Sequence, residues 1–413
     1  MTNRIATFAV TLVLLLPLAA SKPSAEPLLD RQVAPADVMN QIGGIVRREF
    51  FDRRALGAFV KAESRFKELA ASGRLAEASS SWLKTLNASH TGRFTPDEID
   101  YYELAEVFRR GIRHMDQLFP PDGVVTYAGI GMVPRAIGGK LFVAYVYDNG
   151  PAARSGIKVG DEILGVDNEP YAPIASFEGK AGQKVTLKVR RAANSAPLAI
   201  IVPVERLQPR DVFLDAIRSS ARIVEKDGRR IGCLRLWAFA FPGIEDLVME
   251  LLASGPISDA EALVLDMRGR WGGAPTDATD LFVGESPLVE MTDRDGDKHV
   301  ANARWDRPIV GVIDEGSRSG MEILAHGLQR AGVPLVGTRT AGAVVAGRAF
   351  KLRDNSLLEV AVLDVHVDGT RLEGQGVPPD VEVPFDIRYA AGADPQLDRA
   401  LEEMSKILAG PSN

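Results

Sequence analysis

Pro308-Ile-Val-Gly-Val-Ile-Asp-Glu-Gly-Ser-Arg-Ser-Gly-Met-Glu322 decides the fold. Residues 308 to 313 form an apolar run of strand length, the middle is a serine-rich turn, and Met321 to Arg330 carries helical spacing. A buried strand that feeds through a turn into a helix is the unit of an α/β layer. It is also where a nucleophilic serine is built. A hydroxyl at such a turn lies beside free backbone N–H groups and feels the positive end of the helix dipole, which steadies a developing oxyanion. Ser319 is the candidate nucleophile. Alone, the same turn also reads as an ordinary helix N-cap.

The surrounding sequence repeats the strand and helix alternation. Beyond residue 210 the pattern predicts a strand over Ile231 to Leu236, a helix over Ile244 to Ala253, and strands over Ala262 to Asp266, Ile309 to Ile313 and Leu335 to Val336. Leu357 to Val367 reads as a further long strand. This is a mixed α/β layer domain, placed over 210–405. Residues 35–118 instead carry apolar positions at helical spacing, such as Val38, Ile42, Ile45 and Val46, and form a helical N-terminal region. Leu86-Asn-Ala-Ser-His-Thr91 interrupts it, and His90 reads as a structural turn residue.

The 413 residues are 46% hydrophobic and 25% charged, as in a globular protein of two or three domains. The net charge of −6, without a sustained Lys/Arg stripe, argues against nucleic acid as a partner. Arg4, the apolar stretch Ile5 to Leu18 and the small residues Ala19-Ala20-Ser21 predict a signal peptide within 1–25. Export to a periplasmic or extracellular space follows. The sole cysteine, Cys233, lies in an apolar strand and reads as a buried structural thiol. The five histidines are scattered without ligand spacing, so neither a metal nor another cofactor is expected.

Residues 124–205 switch to short strands and glycine turns. Gly129-Ile-Gly-Met132, Gly150-Pro-Ala-Ala-Arg-Ser-Gly156 and Gly160-Asp-Glu-Ile163 together resemble a PDZ domain. The resemblance implies that an extended peptide adds as a strand beside the loop Gly129, Ile130, Gly131 and Met132, whose backbone N–H groups capture a terminal carboxylate. Ile130 and Met132 would line the pocket for the last side chain.

A PDZ domain followed by Asp266-Met-Arg-Gly-Arg-Trp-Gly-Gly273, the serine turn, Gly337-Thr-Arg-Thr-Ala-Gly342 and Gly374-Gln-Gly-Val-Pro-Pro-Asp380 resembles the C-terminal processing peptidases, or tail-specific proteases. The likeness runs from about residue 36 to 405 and implies a ClpP/crotonase-like core. It places the nucleophile on Ser319 and the oxyanion hole on the backbone of Gly272 or Gly273 together with Gly320. It also exposes a gap. That family activates its serine with a lysine, supported by a glutamine, and here Ala343 and Gly347 hold those positions.

Other side chains are weak substitutes. Lys351 lies eight residues past Ala343, roughly 26 Å along a straight strand. Arg348 stays protonated and can bind an anion but not accept a proton. His326 is about 10 Å down the helix from Ser319, and His366 sits on the expected long strand. A histidine on the strand that opens the core would fall at Arg235. Glu322 is a poor base beside a helix N-terminus and is free to orient Arg318 or a substrate amine.

Two function classes remain. One is an exported serine endopeptidase that recruits a polypeptide with an exposed C-terminal tail through its PDZ domain. The other is an inactive homologue that serves as a peptide-binding or scaffold protein of the cell envelope. The sequence leaves the oligomeric state undetermined.

Overall fold

A computed structural model describes residues 27–410, apart from 285–288, 293, 295, 297 and 302–304. The expected signal peptide lies outside the described residues. The central layer is a six-stranded sheet in the order Val381–Glu382, Leu335–Gly337, Ile309–Ile313, Ala262–Asp266, Arg229–Arg235 and Arg222–Lys226. All neighbours are parallel except the last pair, which is an antiparallel hairpin.

The continuous apolar runs follow from burial on both faces. Ile309, Ile313, Leu263 and Leu265 face one core, which they share with the helices Ile244–Ala253 and Gly320–Arg330. Their alternates Val310, Val312, Ala262 and Val264 face a second core closed by Ala400, Leu401 and Met404 of the helix Pro395–Ala409. Cys233 is in that second core, and burial pushes its thiol up to about 11, so it is an inert packing residue.

The N-terminal region is not purely helical. Its helices Pro35–Glu49, Leu56–Ala71 and Leu75–Lys84 pack through Val38, Phe59 and Trp82 on Val345, Leu358 and Val360, which belong to the chain after the serine helix. A short strand, Gly92–Phe94, pairs antiparallel with Leu357–Leu363, which in turn pairs with Ala346–Lys351. The helical segment and the end of the core therefore share one small sheet. That shared sheet carries residue 90 to the site. The strand from Leu357 stops at Leu363 and does not run on to Val367. Residues 367–370 turn back on themselves through a Val367–Thr370 bridge.

The PDZ region is a five-stranded antiparallel sheet with Met132–Ile137 and Leu198–Pro203 at its edges. The strands Tyr127–Gly129 and Glu205–Leu207 pair where the chain enters and leaves it. It has its own core, and Val133, Ala144, Tyr145 and Tyr147 pack onto the main core.

Candidate active site

Ser319 occupies a backbone conformation, φ 55° and ψ −127°, that non-glycine residues rarely adopt and that costs on the order of 1–3 kcal/mol. It is the N-cap of the helix Gly320–Arg330, so its side chain is lifted out of the turn at the dipole's positive end. The surroundings hold it there. Ser319 N–H donates to Ala343 C=O at 2.8 Å and to Glu322 Oε2 at 3.2 Å. Glu322 is fully buried and also accepts from Thr340 Oγ1 (2.6 Å), Gly342 N–H (2.7 Å) and Ala343 N–H (2.7 Å). Burial lifts its carboxyl above the usual range despite these bonds. Its oxygens are thus committed to the backbone, and the expectation that Glu322 orients Arg318 or a substrate amine does not hold. Two residues earlier in the turn, Ser317 is buried and donates its hydroxyl to Met267 C=O at 2.9 Å.

The glycine turn packs directly on this serine. A Cβ on Gly272 would stand 2.5 Å from Ser319 Cβ and 2.6 Å from Gly320 N, so any side chain would displace Ser319. A Cβ on Gly320 would stand 2.8 Å from Gly273 N, which places the Gly273 N–H beside the Gly320 backbone. Gly273 has φ 83° and packs on Ala240. The structure therefore brings together Ser319, Gly320, Gly272 and Gly273, as the sequence suggested.

The substitutes for the lysine fare differently. Ala343 is buried, and its C=O is the acceptor for Ser319 N–H. Lys351 ends its strand against Gln41, whose amide donates to the Lys351 C=O. Arg348 is exposed and sits 3.6 Å from Glu49. Arg235 stacks over the Trp237 ring at 3.6 Å and donates to Arg268 C=O. His326 lies 3.8 Å from Asp368. His366 is exposed in the turn beyond the strand end, so it cannot return to the site on a strand as expected.

His90 is the residue that sequence reasoning passed over. It has the positive φ (48°) of a turn residue, as read, and it is buried close enough to Arg318 of the serine turn to feel its charge. Ser89 Oγ donates to Glu373 Oε2 at 2.8 Å and lies 2.9 Å from His90 Nδ1. A hydroxyl has one proton, and Ser89 spends it on Glu373. The contact to the ring must then be a donation from Nδ1–H to Ser89 Oγ, which leaves the lone pair on Nε2.

Glu373 also accepts from Ser89 N–H (2.8 Å), Val344 N–H (2.8 Å) and Val345 N–H (3.2 Å). Burial opposes ionisation there, but these bonds outweigh it and hold the carboxyl below the usual range. Glu373 thus grips residues 344 and 345, while Ser319 is tied to residue 343.

Burial and the Arg318 guanidinium lower the His90 ring to about 3, against a raising pull from Glu373, so the imidazole is neutral at ordinary pH. A Cβ on Gly347 would come within 3.1 Å of His90 Cβ and 2.8 Å of Glu359 Oε1. Glycine at 347, where the resemblance implies glutamine, leaves room for the histidine. Two signals in the sequence pointed here: the Ser89-His90 pair, and the simultaneous loss of Lys and Gln at 343 and 347.

In the PDZ region, Ala152 N–H and Tyr147 N–H donate to the carbonyls of Ile130 and Gly131. Gly131 (φ 72°) lines a cleft against Asp211 and Asp215 of the helix Pro209–Ser220. Ile130 and Met132 do not line an open pocket as expected. Both are buried in the PDZ core with Ala152 and Ile157, because the loop carbonyls pin them inward.

Residues 230–383 match the sequence profile of Peptidase family S41, and residues 142–191 match that of a PDZ domain. The core is a family S41 peptidase domain. Ser319 and Glu373 fall inside the matched S41 stretch, and His90 falls outside it. Proteins similar to this chain include the carboxy-terminal processing protease CtpB of Bacillus subtilis, 24% identical over 283 residues, covering 65% of this chain and 57% of that protein. The carboxyl-terminal-processing peptidase 3 of Arabidopsis thaliana, a chloroplastic protein, is 29% identical over 324 residues and covers 73% and 58%. The chain spans 57 to 63% of the length of such curated relatives. Among solved structures, the tricorn protease matches with a TM-score of 0.52 at 16% identity, covering 91% of this chain and 37% of that one. Mature CPAF matches at 0.51 and 12%, covering 91% and 98%. At these identities they show a shared fold alone.

Proposed function

We propose that this protein is a serine endopeptidase whose nucleophile, Ser319, is activated by His90 rather than by a lysine. The observation that carries the reading is the Glu373–Ser89–His90 relay, which fixes the Nδ1–H tautomer and leaves Nε2 as a proton acceptor, while Glu373 also holds residues 344 and 345 beside the residue that ties down Ser319.

In the reaction, Ser319 Oγ attacks the scissile carbonyl carbon while its proton passes to His90 Nε2. The carbonyl oxygen becomes an oxyanion facing the Gly273 and Gly320 N–H groups and the helix N-terminus. The imidazolium, which a nearby oxyanion favours and which Arg318 opposes, returns the proton to the leaving amine as the C–N bond breaks. A water molecule then attacks the acyl-enzyme by the same route. This supplies the base that Ala343 does not, and it favours an active peptidase over the inactive scaffold.

The PDZ domain recruits the substrate tail. Met132–Ile137 is an edge of its sheet among the described residues, as strand addition requires. From that edge Arg135 bonds Glu315, four residues before Ser319, at 2.7 Å. Export rests on the apolar N-terminal stretch. Among the described residues no helix is long and apolar enough to cross a membrane.

The test is mass spectrometry of an unfolded peptide with an apolar C-terminus, incubated with the unaltered protein, Ser319→Ala and His90→Ala. Cleavage by the unaltered protein alone supports the reading. Retention of the peptide without cleavage by any of the three would return the scaffold.

A further inference from the structure

Two clefts share the loop of residues 108–114, and each adjoins a residue next to the candidate site. The larger cleft, about 710 Å³, lies between the helix Pro35–Glu49 and the strand Ala346–Lys351. Its lining residue Arg348 follows Gly347 in the chain, and Gly347 abuts His90. The second cleft reaches Ala240, which abuts Gly273 of the oxyanion turn. Gly111 lines both. A polypeptide lying across Ser319 would leave along these clefts.

Their charge is one-sided although the whole chain carries −6. Arg48, Arg113, Arg348 and Lys351 line the first cleft, and Arg109, Arg110 and Arg210 the second. Each cleft has one carboxylate, and each is already engaged. Glu49 pairs with Arg48 and Arg348, and Glu106 pairs with Arg109. Arg110, Arg113 and Lys351 form no ion pair with a described carboxylate, whereas Arg210 interacts with Glu106. The strand Ala346–Lys351 is moreover an edge of its sheet among the described residues, so its backbone can pair with an extended chain.

The geometry points to acidic polypeptide segments, rich in Asp and Glu on either side of the scissile bond, as the substrates this site prefers. The inference rests on the peptidase reading above and names the substrate class of that site. Concave walls of one sign focus the field on an incoming chain, and the edge strand fixes it in extended form.

Two peptides of equal length, both amidated at the C-terminus, differ only in carrying Asp and Glu or Ser and Gln around the cleavage point. With the unaltered full chain at low salt, kcat/KM is expected to be about tenfold higher for the acidic peptide, and the ratio to shrink as salt is added. Arg113→Glu with Lys351→Glu is expected to bring the ratio to one or below. Equal cleavage of both peptides by the unaltered protein overturns the inference and leaves the peptidase reading intact. If neither is cleaved, the peptidase reading fails, and fluorescence anisotropy with Ser319→Ala still decides the groove. Tighter binding of the labelled acidic peptide supports the inference, and equal binding overturns it.

Discussion

Two buried carboxylates flank the serine loop, each accepts four hydrogen bonds, and they do opposite things. Glu322 takes its four from Ser319, Thr340, Gly342 and Ala343, so its bonds end on the turn and on a hydroxyl that helps hold it. Glu373 takes three from backbone N–H groups and one from the Ser89 hydroxyl, which passes the interaction to a titratable ring. Burial wins at Glu322 and raises its carboxyl; donors win at Glu373 and keep it ionised. A carboxylate that ends on backbone builds shape. One that ends on a histidine through a hydroxyl fixes that ring's tautomer.

The sharpest way to break this contrast is to remove the ring. His90→Ala and Ser319→Ala are each expected to cost on the order of 10⁶-fold in kcat, and the double variant no more, because groups acting as one unit are not additive. Additive losses would separate His90 from Ser319.

Glu373→Gln should lower kcat by about 10³-fold or more, since an amide no longer holds the tautomer or balances the imidazolium. Glu322→Gln should act mainly on stability, by about 1–3 kcal/mol, because it sets an amide donor against backbone N–H groups. Denaturant unfolding beside kcat distinguishes the two. A reversed pattern would dissolve the comparison.

Gly347→Gln tests the space beside the ring. A side chain there displaces His90, and a misplacement of about 1 Å is worth roughly 10²-fold in kcat, with unfolding changed less.

The smallest effect is on pH. His90 falls from 6.5 in the unfolded chain to about 3 in the folded one. Its contribution to stability is therefore complete above pH 6.5 and is lost as pH falls toward 3. Burial raises the Glu359 carboxyl from 4.5 to about 7, so its contribution is present below 4.5 and is lost as pH rises through 7. Denaturation curves of His90→Gln should flatten the acid side, and those of Glu359→Gln the neutral side. The acid limb of kcat/KM should likewise lie well below 6.5.

Much of this was legible in the sequence. The two-faced burial of Ile309 to Ile313 follows from an unbroken apolar run, and the PDZ turns and the serine turn follow from residue types at fixed spacing. Gly272 and Gly273 were legible because only glycine permits such an approach to Ser319.

The placement of His90 was not legible beyond the Ser89-His90 pair and the loss of Lys and Gln at 343 and 347. His90 reaches the loop through the pairing of Gly92–Phe94 with Leu357–Leu363, a contact between distant parts of the chain that no local period encodes. A three-residue strand among helices gives no alternation to read. The pocket expected at Ile130 and Met132 failed for a related reason, since backbone bonds from Tyr147 and Ala152 decide which way the loop turns.

The most direct measurement needs no knowledge of the substrate. The unaltered protein and His90→Ala are treated with a fluorophosphonate, which bonds covalently to an activated serine, and intact mass is followed with time. The account predicts that the unaltered protein gains one adduct, mapped to Ser319, and that His90→Ala gains it about 10²- to 10⁴-fold more slowly. Equal rates in both proteins would contradict His90 as the base.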